Sequence, residues 1–393
     1  MRFLHTADWH LGRTLHGADL TEAFQAWADH VVALAATRDV DAVLISGDVY
    51  DRAIPPVTMV ELLSDTLTRL AEHTHVIMTP GNHDAPKRLG FASGLMSERL
   101  TIISDVLDSG TPVKVRRDGE VVGLVYAIPY LDPDMERGRL SDTDEPLARS
   151  HQAVMEAALG LVGADIARGE YQDVPRVVMA HAFVLGGEKS DSERDIHIGG
   201  VDSVPASVFR VGEGERGQID YVALGHLHGP QIVNADSGPL IRYSGSPIAF
   251  SFSEEKHRKS SVLVEISHAG ADPSYELIPA PLVRPLVTVR GTLAELISEE
   301  YSQYQDYYVR ARVTDPERPA NMYLRLRSAF PHLLEHQHET EQVQLRAAEL
   351  RALTVNPVET ITEFFNKVGG RDIDSKEREI ITDAWDELMK EAR

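Results

Sequence analysis

The sequence predicts a layered α/β fold followed by a small second domain and a helical tail. Three observations lead there. Over the first 280 residues, short apolar runs of strand length alternate with amphipathic helical patterns. Several of those runs end in Gly, Asp, Asn or His, residues suited to turns and sites rather than strand interiors. After Pro281 and Pro285 the pattern changes to a tight strand–helix alternation, then a polar stretch, then two amphipathic helices.

The strand-like runs are Arg2–Thr6, Ala42–Ser46, His75–Thr79, 121–128, 177–180, 221–224 and Leu240–Tyr243. Helical spacing of apolar residues predicts helices over 20–37 (Leu20, Phe24, Trp27, Val31, Leu34) and 56–72 (Val60, Leu63, Leu67, Leu70). Two polar stretches, 131–147 and 186–200, read as surface loops. The first domain is therefore placed at 1–280. A second, at 281–345, reads as βαβαβ: strand 286–291, helix 292–300, strand 307–314, helix 320–329, strand 333–340. The segment 346–393 ends in a helical pair. Asn356, Pro357 and Glu359 make an N-terminal signature for one helix, and Gly369-Gly370 stop it. Asp374 and Glu377 form a capping box for the next. A two-helix element of this size cannot bury both apolar stripes on itself, so they either pack on the first domain or, as expected here, dock on a partner.

Composition excludes several classes. The 39 basic and 61 acidic residues give a net charge of −22, so a non-specific electrostatic grip on nucleic acid is not expected from the chain alone. There is no cysteine, so disulfides, thiolate metal sites and cysteine nucleophiles are out. Any metal must sit on His, Asp, Glu or Asn. No apolar run approaches the roughly 18 residues of a spanning helix, and the first residues carry His5, Asp8 and His10, unlike a signal peptide. The expectation is a cytoplasmic protein with no membrane association. No Gly-rich loop ending in GK[ST] is present, so no direct ATP binding is expected.

The chemistry concentrates in five segments that each follow a strand-like run: Asp8-Trp9-His10, Gly47-Asp48, Gly81-Asn82-His83-Asp84, Ala180-His181 and Gly225-His226-Leu227-His228. In layered α/β folds, ligands bind at the carboxyl ends of strands, so the five can converge. Carboxylate and amide oxygens with imidazole nitrogens suit a divalent cation. Glycines 47, 81 and 225 let the chain turn sharply into the cluster. Asp8, His10, Asp48, Asn82, His181, His226 and His228 are seven candidate ligands, too many for one tetrahedral ion and suited to two ions sharing a carboxylate. Taken singly, each segment is more simply a turn or a strand end; the ordered set of five is what argues for a site. His5, inside the first run, reads as a core histidine with a hydrogen-bond partner.

This ordered set resembles the calcineurin-like metallophosphoesterase superfamily. The longer stretches 5–17, 46–56, 79–91, 190–200, 220–231 and 243–254 resemble its bacterial DNA nucleases, which work with an SMC-like ATPase. The resemblance implies a metallophosphoesterase β-sandwich flanked by helices, a DNA-capping domain after it, and a tail that docks on the ATPase. It implies one metal on Asp8, His10, Asp48 and His228 and another on Asp48, Asn82, His181 and His226, with Mn²⁺ preferred. His83 would act as a proton donor beside the metals, and Asp84 would orient it. The implied activity is double-strand exonuclease and single-strand or hairpin endonuclease action on DNA, in repair, recombination and replication. The implied assembly is a homodimer within a heterotetramer. Arg13, Lys87 and Arg88, just after metal motifs, are candidate DNA phosphate contacts. Some relatives carry a histidine where this chain has Asp51, so no role in DNA positioning is carried to that residue; it reads as a loop residue bonding backbone amides. Two rivals remain at this point: a phosphatase or small-molecule phosphodiesterase with the same metal chemistry, and a non-catalytic scaffold.

Overall fold

The computed structural model describes residues 1–193, 203–212, 218–233, 238–339, 374, 376–378 and 380. The chain divides into two compact units, Met1–Pro285 and Leu286–Arg393.

The first unit is built on two six-stranded sheets. One runs in the order Ser274–Pro279, Ser260–Glu265, Arg2–Thr6, Ala42–Ser46, His75–Thr79, Leu100–Ile102. The other runs Gln231–Val233, Leu240–Tyr243, Tyr221–Gly225, Arg176–His181, Glu120–Ala127, Val113–Arg117. The central strands are apolar along nearly their whole length and buried on both faces, as expected of parallel strands covered on each side. Phe3, Leu44, Ile77, Val125, Val177, Tyr221 and Val262 form one buried core cluster drawn from both sheets. A second cluster joins the outer face of the second sheet (Val178, Val222, Leu224) to the helix His151–Ile166 through Val154, Ala158, Leu159 and Val162. Helices Thr21–Thr37 and Val57–His73 pack on each other and bury Phe24, Trp27, Val31, Leu63, Leu67 and Leu70.

Register puts the catalytically interesting ends together. Arg2–Thr6, Ala42–Ser46 and His75–Thr79 are mutually parallel, with Thr6 beside Ile45 and Ser46 beside Thr79. In the other sheet Gly225 stands beside His181 in parallel pairing. All five sequence segments therefore leave from the carboxyl ends of parallel strands.

The second unit has a three-stranded parallel sheet, Leu286–Gly291, Tyr308–Val313 and Leu333–His338, with Tyr308–Val313 in the middle. Helices Leu293–Leu296 and Met322–Ala329 connect them and share a core with Val289, Val309, Ala311 and Phe330. Thr292 and Glu295 close a capping box at the first of these helices. In the tail, Asp374 accepts the Glu377 amide at 2.8 Å and Glu377 accepts the Asp374 amide at 3.0 Å, the reciprocal pair expected there. The rest of the helical pair expected over 356–393 lies outside the described residues. So does most of the 190–200 stretch, beyond Glu193. Among the described residues, no helix is long and apolar enough to cross a membrane.

Candidate metal centre

All seven candidate ligands meet at one place. Asp8, His10, Asp48, His181, His226 and His228 are each at most 2% exposed. Ligand atoms of Asp8, His10 and His228 lie within 4.8 Å of one another, and so do those of Asp8, Asp48 and His181. Asp48 is the hub: its Oδ2 lies 3.5 Å from His10 Nε2 and 3.4 Å from His181 Nε2. On one side, His10 Nε2 faces His228 Nε2 at 3.0 Å. On the other, Asn82 Oδ1 stands 3.0 Å from His181 Nε2 and 3.3 Å from His226 Nδ1.

The backbone is bent to achieve this. Asp8, His10, Asp48 and His226 all have positive φ, at 55°, 45°, 49° and 105°. Left-handed backbone at a non-glycine residue costs about 1–3 kcal/mol and persists where the surroundings enforce it. Here, the Asp8 amide is tied to the Gly47 carbonyl (3.0 Å) and the His10 amide to the Asp48 carbonyl (2.9 Å). The glycines act mainly by absence of a side chain. Only Gly47 of the three has positive φ. A Cβ on Gly225 would collide with the Ser46 carbonyl, and one on Gly81 with the Asp48 amide and carboxylate. Close approach, rather than the sharp turn expected from sequence, is what positions 81 and 225 require.

Hydrogen bonds select histidine tautomers. His181 Nδ1 donates to the Ser46 carbonyl at 2.9 Å, which turns Nε2 toward Asp48 and Asn82. His226 Nε2 and His10 Nδ1 are buried with no hydrogen-bond partner among the described residues. Burial keeps His10 and His226 well below the ordinary imidazole range, hence neutral. Burial opposes charge on His181 too, but the Asp48 carboxylate outweighs it and lifts that group to about 9. Burial likewise opposes Asp48, yet the His181, His10 and His83 rings hold its carboxyl well below the usual range. Burial drives Asp8 well above it. Two buried carboxyl groups and four buried imidazoles, two of them with an unpartnered ring nitrogen among the described residues, make a donor set suited to a divalent cation. The residues fit a pair of divalent ions.

His83 stands at the rim. Its ring meets His10 edge-on at 4.7 Å, and its amide donates to Asp48 Oδ1 at 2.9 Å. Its Nδ1 donates to the carbonyl of Asp51 at 2.8 Å. The expectation that Asp84 orients this ring is not met. Asp84 turns away and accepts the amides of Val49 (3.0 Å), Gly81 (2.9 Å) and Tyr50 (2.9 Å). Burial and the Asp48 charge raise the Asp84 carboxyl to about 7. Asp51 also departs from its reading. Its carboxylate faces Arg13 at 3.8 Å, Arg52 at 3.4 Å and His10 Nδ1 at 3.9 Å, rather than backbone amides.

The basic candidates differ among themselves. Arg13 is mostly buried, donates to the Ser192 carbonyl at 2.5 Å and lies over the Phe250 ring at 5.0 Å. Arg88 donates to the Ala53 carbonyl at 2.9 Å. Lys87 is exposed, 3.4 Å from Asp105. His5 is fully buried, between the Tyr221 hydroxyl (3.0 Å) and the Leu224 carbonyl (3.1 Å), a core histidine. Sequence reading missed the residues behind His228: Ser192, Glu193, Glu254 and Lys259. The only signal was that the stretches 190–200 and 243–254 resembled relatives without a role attached.

A family model described as calcineurin-like phosphoesterase matches residues 1–230. A second, described as type 5 capsule protein repressor C-terminal domain, matches residues 283–368. The SbcD component of nuclease SbcCD from Bacillus subtilis is 30% identical over 96% of this chain and 95% of its own. The protein of the same name from Escherichia coli K12 is 31% identical over 78% of this chain and 74% of its own. That from Staphylococcus saprophyticus is 27% identical over 100% and 99%. Among solved structures, a dimetal phosphatase from Danio rerio covers 72% of this chain and 99% of its own at 12% identity and a TM-score of 0.38, too loose a likeness to bear on the site. With strand ends, ligand types and full-length relatives in agreement, the chain belongs to the calcineurin-like phosphoesterase family, among the SbcD components of SbcCD nucleases.

Proposed function

We propose that this chain is the nuclease component of a complex with the SMC-like ATPase SbcC, hydrolysing phosphodiester bonds at DNA ends and in single-stranded and hairpin DNA. The observation that supports it most is the Asp48 carboxylate oxygen set 3.5 Å and 3.4 Å from two histidine nitrogens that belong to opposite halves of the ligand set. A shared carboxylate is the signature of a two-ion centre. Two divalent ions, Mn²⁺ in our reading, would supply an activated water and positive charge for the phosphate oxygens.

The roles of the side chains follow. Asp8, His10, Asp48 and His228 would hold one ion, and Asp48, Asn82, His181 and His226 the other. His83, with Nδ1 committed to the Asp51 carbonyl, exchanges a proton at Nε2 with the leaving oxygen. Asp84 fixes the loop that presents Asp48. Lys87, Arg88 and Arg13 contact DNA phosphates. The segment 281–345 caps the DNA and 346–393 docks on SbcC, which alone binds ATP. The assembly is a homodimer within a heterotetramer, in the cytoplasm. A chain at −22 needs such a basic or cation-loaded partner surface to hold duplex DNA.

The test is cleavage of a hairpin DNA with Mn²⁺, with and without SbcC and ATP, beside a small phosphate diester and monoester. Hairpin cleavage stimulated by SbcC and ATP supports the reading. Turnover of the small esters with an intact hairpin would replace it with a metallophosphatase.

A further inference from the structure

One polar cluster in the first unit takes no part in the roles above. It lies directly behind His228, on the side away from the other ligands. His228 Nδ1 is 2.5 Å from Ser192 Oγ. Ser192 Oγ in turn bonds Glu254 Oε1, and Glu254 Oε2 bonds the ammonium of Lys259. The main chain of His228 is gripped as well: its amide donates to Glu193 Oε1 at 2.7 Å, and its carbonyl accepts from Lys259 at 2.9 Å. Lys259 also donates to Ser246 Oγ at 2.9 Å. Glu254 is 1% exposed and Ser192 6%.

Donor and acceptor counting fixes the direction of every proton in this chain. A lysine ammonium only donates and an ionised carboxylate only accepts. Glu254 therefore receives from Lys259 on one oxygen and from the Ser192 hydroxyl on the other. The serine has then spent its single hydrogen, so its oxygen must accept from His228. His228 must carry its hydrogen on Nδ1, and its Nε2 must present a lone pair toward His10 and the centre. Metal-binding histidines are commonly held this way by a carboxylate or carbonyl; here a serine is interposed.

We propose that Ser192, Glu254 and Lys259 form a proton-direction relay that holds His228 in its metal-binding tautomer, making Glu254 a positioning residue for one of the two ions. The inference rests on the two-ion reading above. It also gives a task to the 190–193 segment, which Arg13 ties back to the first motif through the Ser192 carbonyl.

The relay makes a prediction that simple packing does not. In Glu254→Gln, made together with Ser190→Ala because the Ser190 hydroxyl 2.9 Å from Ser192 Oγ could otherwise take the serine hydrogen, the side chain keeps its shape. Lys259 can only face the amide oxygen, so the amide NH₂ faces Ser192, at the cost of the Phe250 amide bond that Glu254 Oε1 accepts at 3.2 Å. Ser192 then accepts from the glutamine and donates to His228 Nδ1, which moves the ring hydrogen to Nε2 and blocks the ligand. Ser192→Ala removes the relay without reversing it.

The test uses the full chain, first metal-free and then titrated with Mn²⁺. ¹⁵N-histidine spectra of the metal-free protein should show His228 protonated at Nδ1 in the parent and at Nε2 in Glu254→Gln. Calorimetric titration should show one of two Mn²⁺ positions weakened by about 10–100-fold in Glu254→Gln, with the other little changed. Ser192→Ala should weaken it less, and Ser192→Ala added to Glu254→Gln should recover part of the loss. A ring that keeps Nδ1–H in Glu254→Gln overturns the relay, as does a double variant that binds worse than either single. If Glu254→Gln does not fold, Ser192→Ala decides: parental tautomer fixation and Mn²⁺ affinity there refute the proposal. A parent that binds no Mn²⁺ but shows the expected tautomer shift would count against the two-ion reading while leaving the relay standing.

Discussion

Asp84→Asn separates two accounts of a residue that sequence alone placed beside His83. In the structure, Asp84 is 8% exposed and its carboxylate accepts three amides: Val49 and Gly81 on Oδ2, Tyr50 on Oδ1. An asparagine can keep the two-amide oxygen but must turn its NH₂ toward the Tyr50 amide. One hydrogen bond is lost, worth about 0.5–1.5 kcal/mol for a carboxyl that burial and the Asp48 charge already raise to about 7, and the Tyr50 amide left facing a donor adds about 1–3 kcal/mol. The expected cost is about 2–4 kcal/mol. For a unit of this size that lowers the melting temperature by roughly 5–10 °C. Because Val49 and Tyr50 flank the ligand loop, Mn²⁺ affinity should fall as well. Melting of the metal-free protein by calorimetry, followed by Mn²⁺ titration, reads both. If Asp84→Asn melts and binds Mn²⁺ like the parent yet loses turnover as His83→Ala does, Asp84 works through His83 and the loop-bracing account is wrong.

Four further outcomes are expected. Asp48→Ala should lose both ions and activity, whereas His10→Ala should empty mainly one position; metal analysis showing two ions in Asp48→Ala would mean that the shells are misassigned. His83→Ala should keep both ions and DNA affinity while turnover on hairpin DNA drops by about 10²–10⁴-fold; loss of a metal there would make His83 a ligand. Acid should destabilise the fold through His5, which burial lowers to about 3. The unfolded chain takes up that proton near pH 6.5 and the folded chain does not, so this contribution is complete above 6.5 and declines as pH falls toward 3; between pH 7 and pH 5 it amounts to about 2 kcal/mol, and urea unfolding of His5→Phe should show a correspondingly smaller pH dependence. Deleting residues from Asn356 should leave a folded, metal-binding protein with Mn²⁺-dependent cleavage but no co-purification with SbcC; a stable complex of the shortened chain would refute the docking role.

Burial made much of the fold legible in the sequence, although the buried strand Ser260–Glu265 was not read from it. Strands such as Ala42–Ser46 and Arg176–His181 are enclosed on both faces and read as nearly unbroken apolar runs. Strand Ser274–Pro279 escaped notice because it is an edge with Tyr275 and Leu277 exposed among polar neighbours. Helix His151–Ile166 was obscured by Gly160 and Gly163, which its packing tolerates. The ligands announced themselves by residue type and by following strands. Their supports did not, because support depends on distance in space. Asp84 is next to His83 in the chain but braces loop 47–50, and the oxygen that holds His83 is a main-chain carbonyl that any residue could supply. Glu254 reaches Ser192 across 62 residues, a pairing no local pattern encodes.

The pairing of the first strand has a consequence for synthesis. Arg2–Thr6, which delivers Asp8 and His10, is flanked on one side by Ala42–Ser46 and on the other by Ser260–Glu265, antiparallel. That second neighbour lies at the far end of the first unit's sequence, and Lys259, the last member of the support behind His228, immediately precedes it. A chain still on the ribosome lacks both until nearly the whole first unit has emerged. Contacts of such long separation form late in folding. Hydrolytic competence is thus deferred until the unit that must contain it is finished, and no shorter nascent fragment can assemble the centre together with its supports.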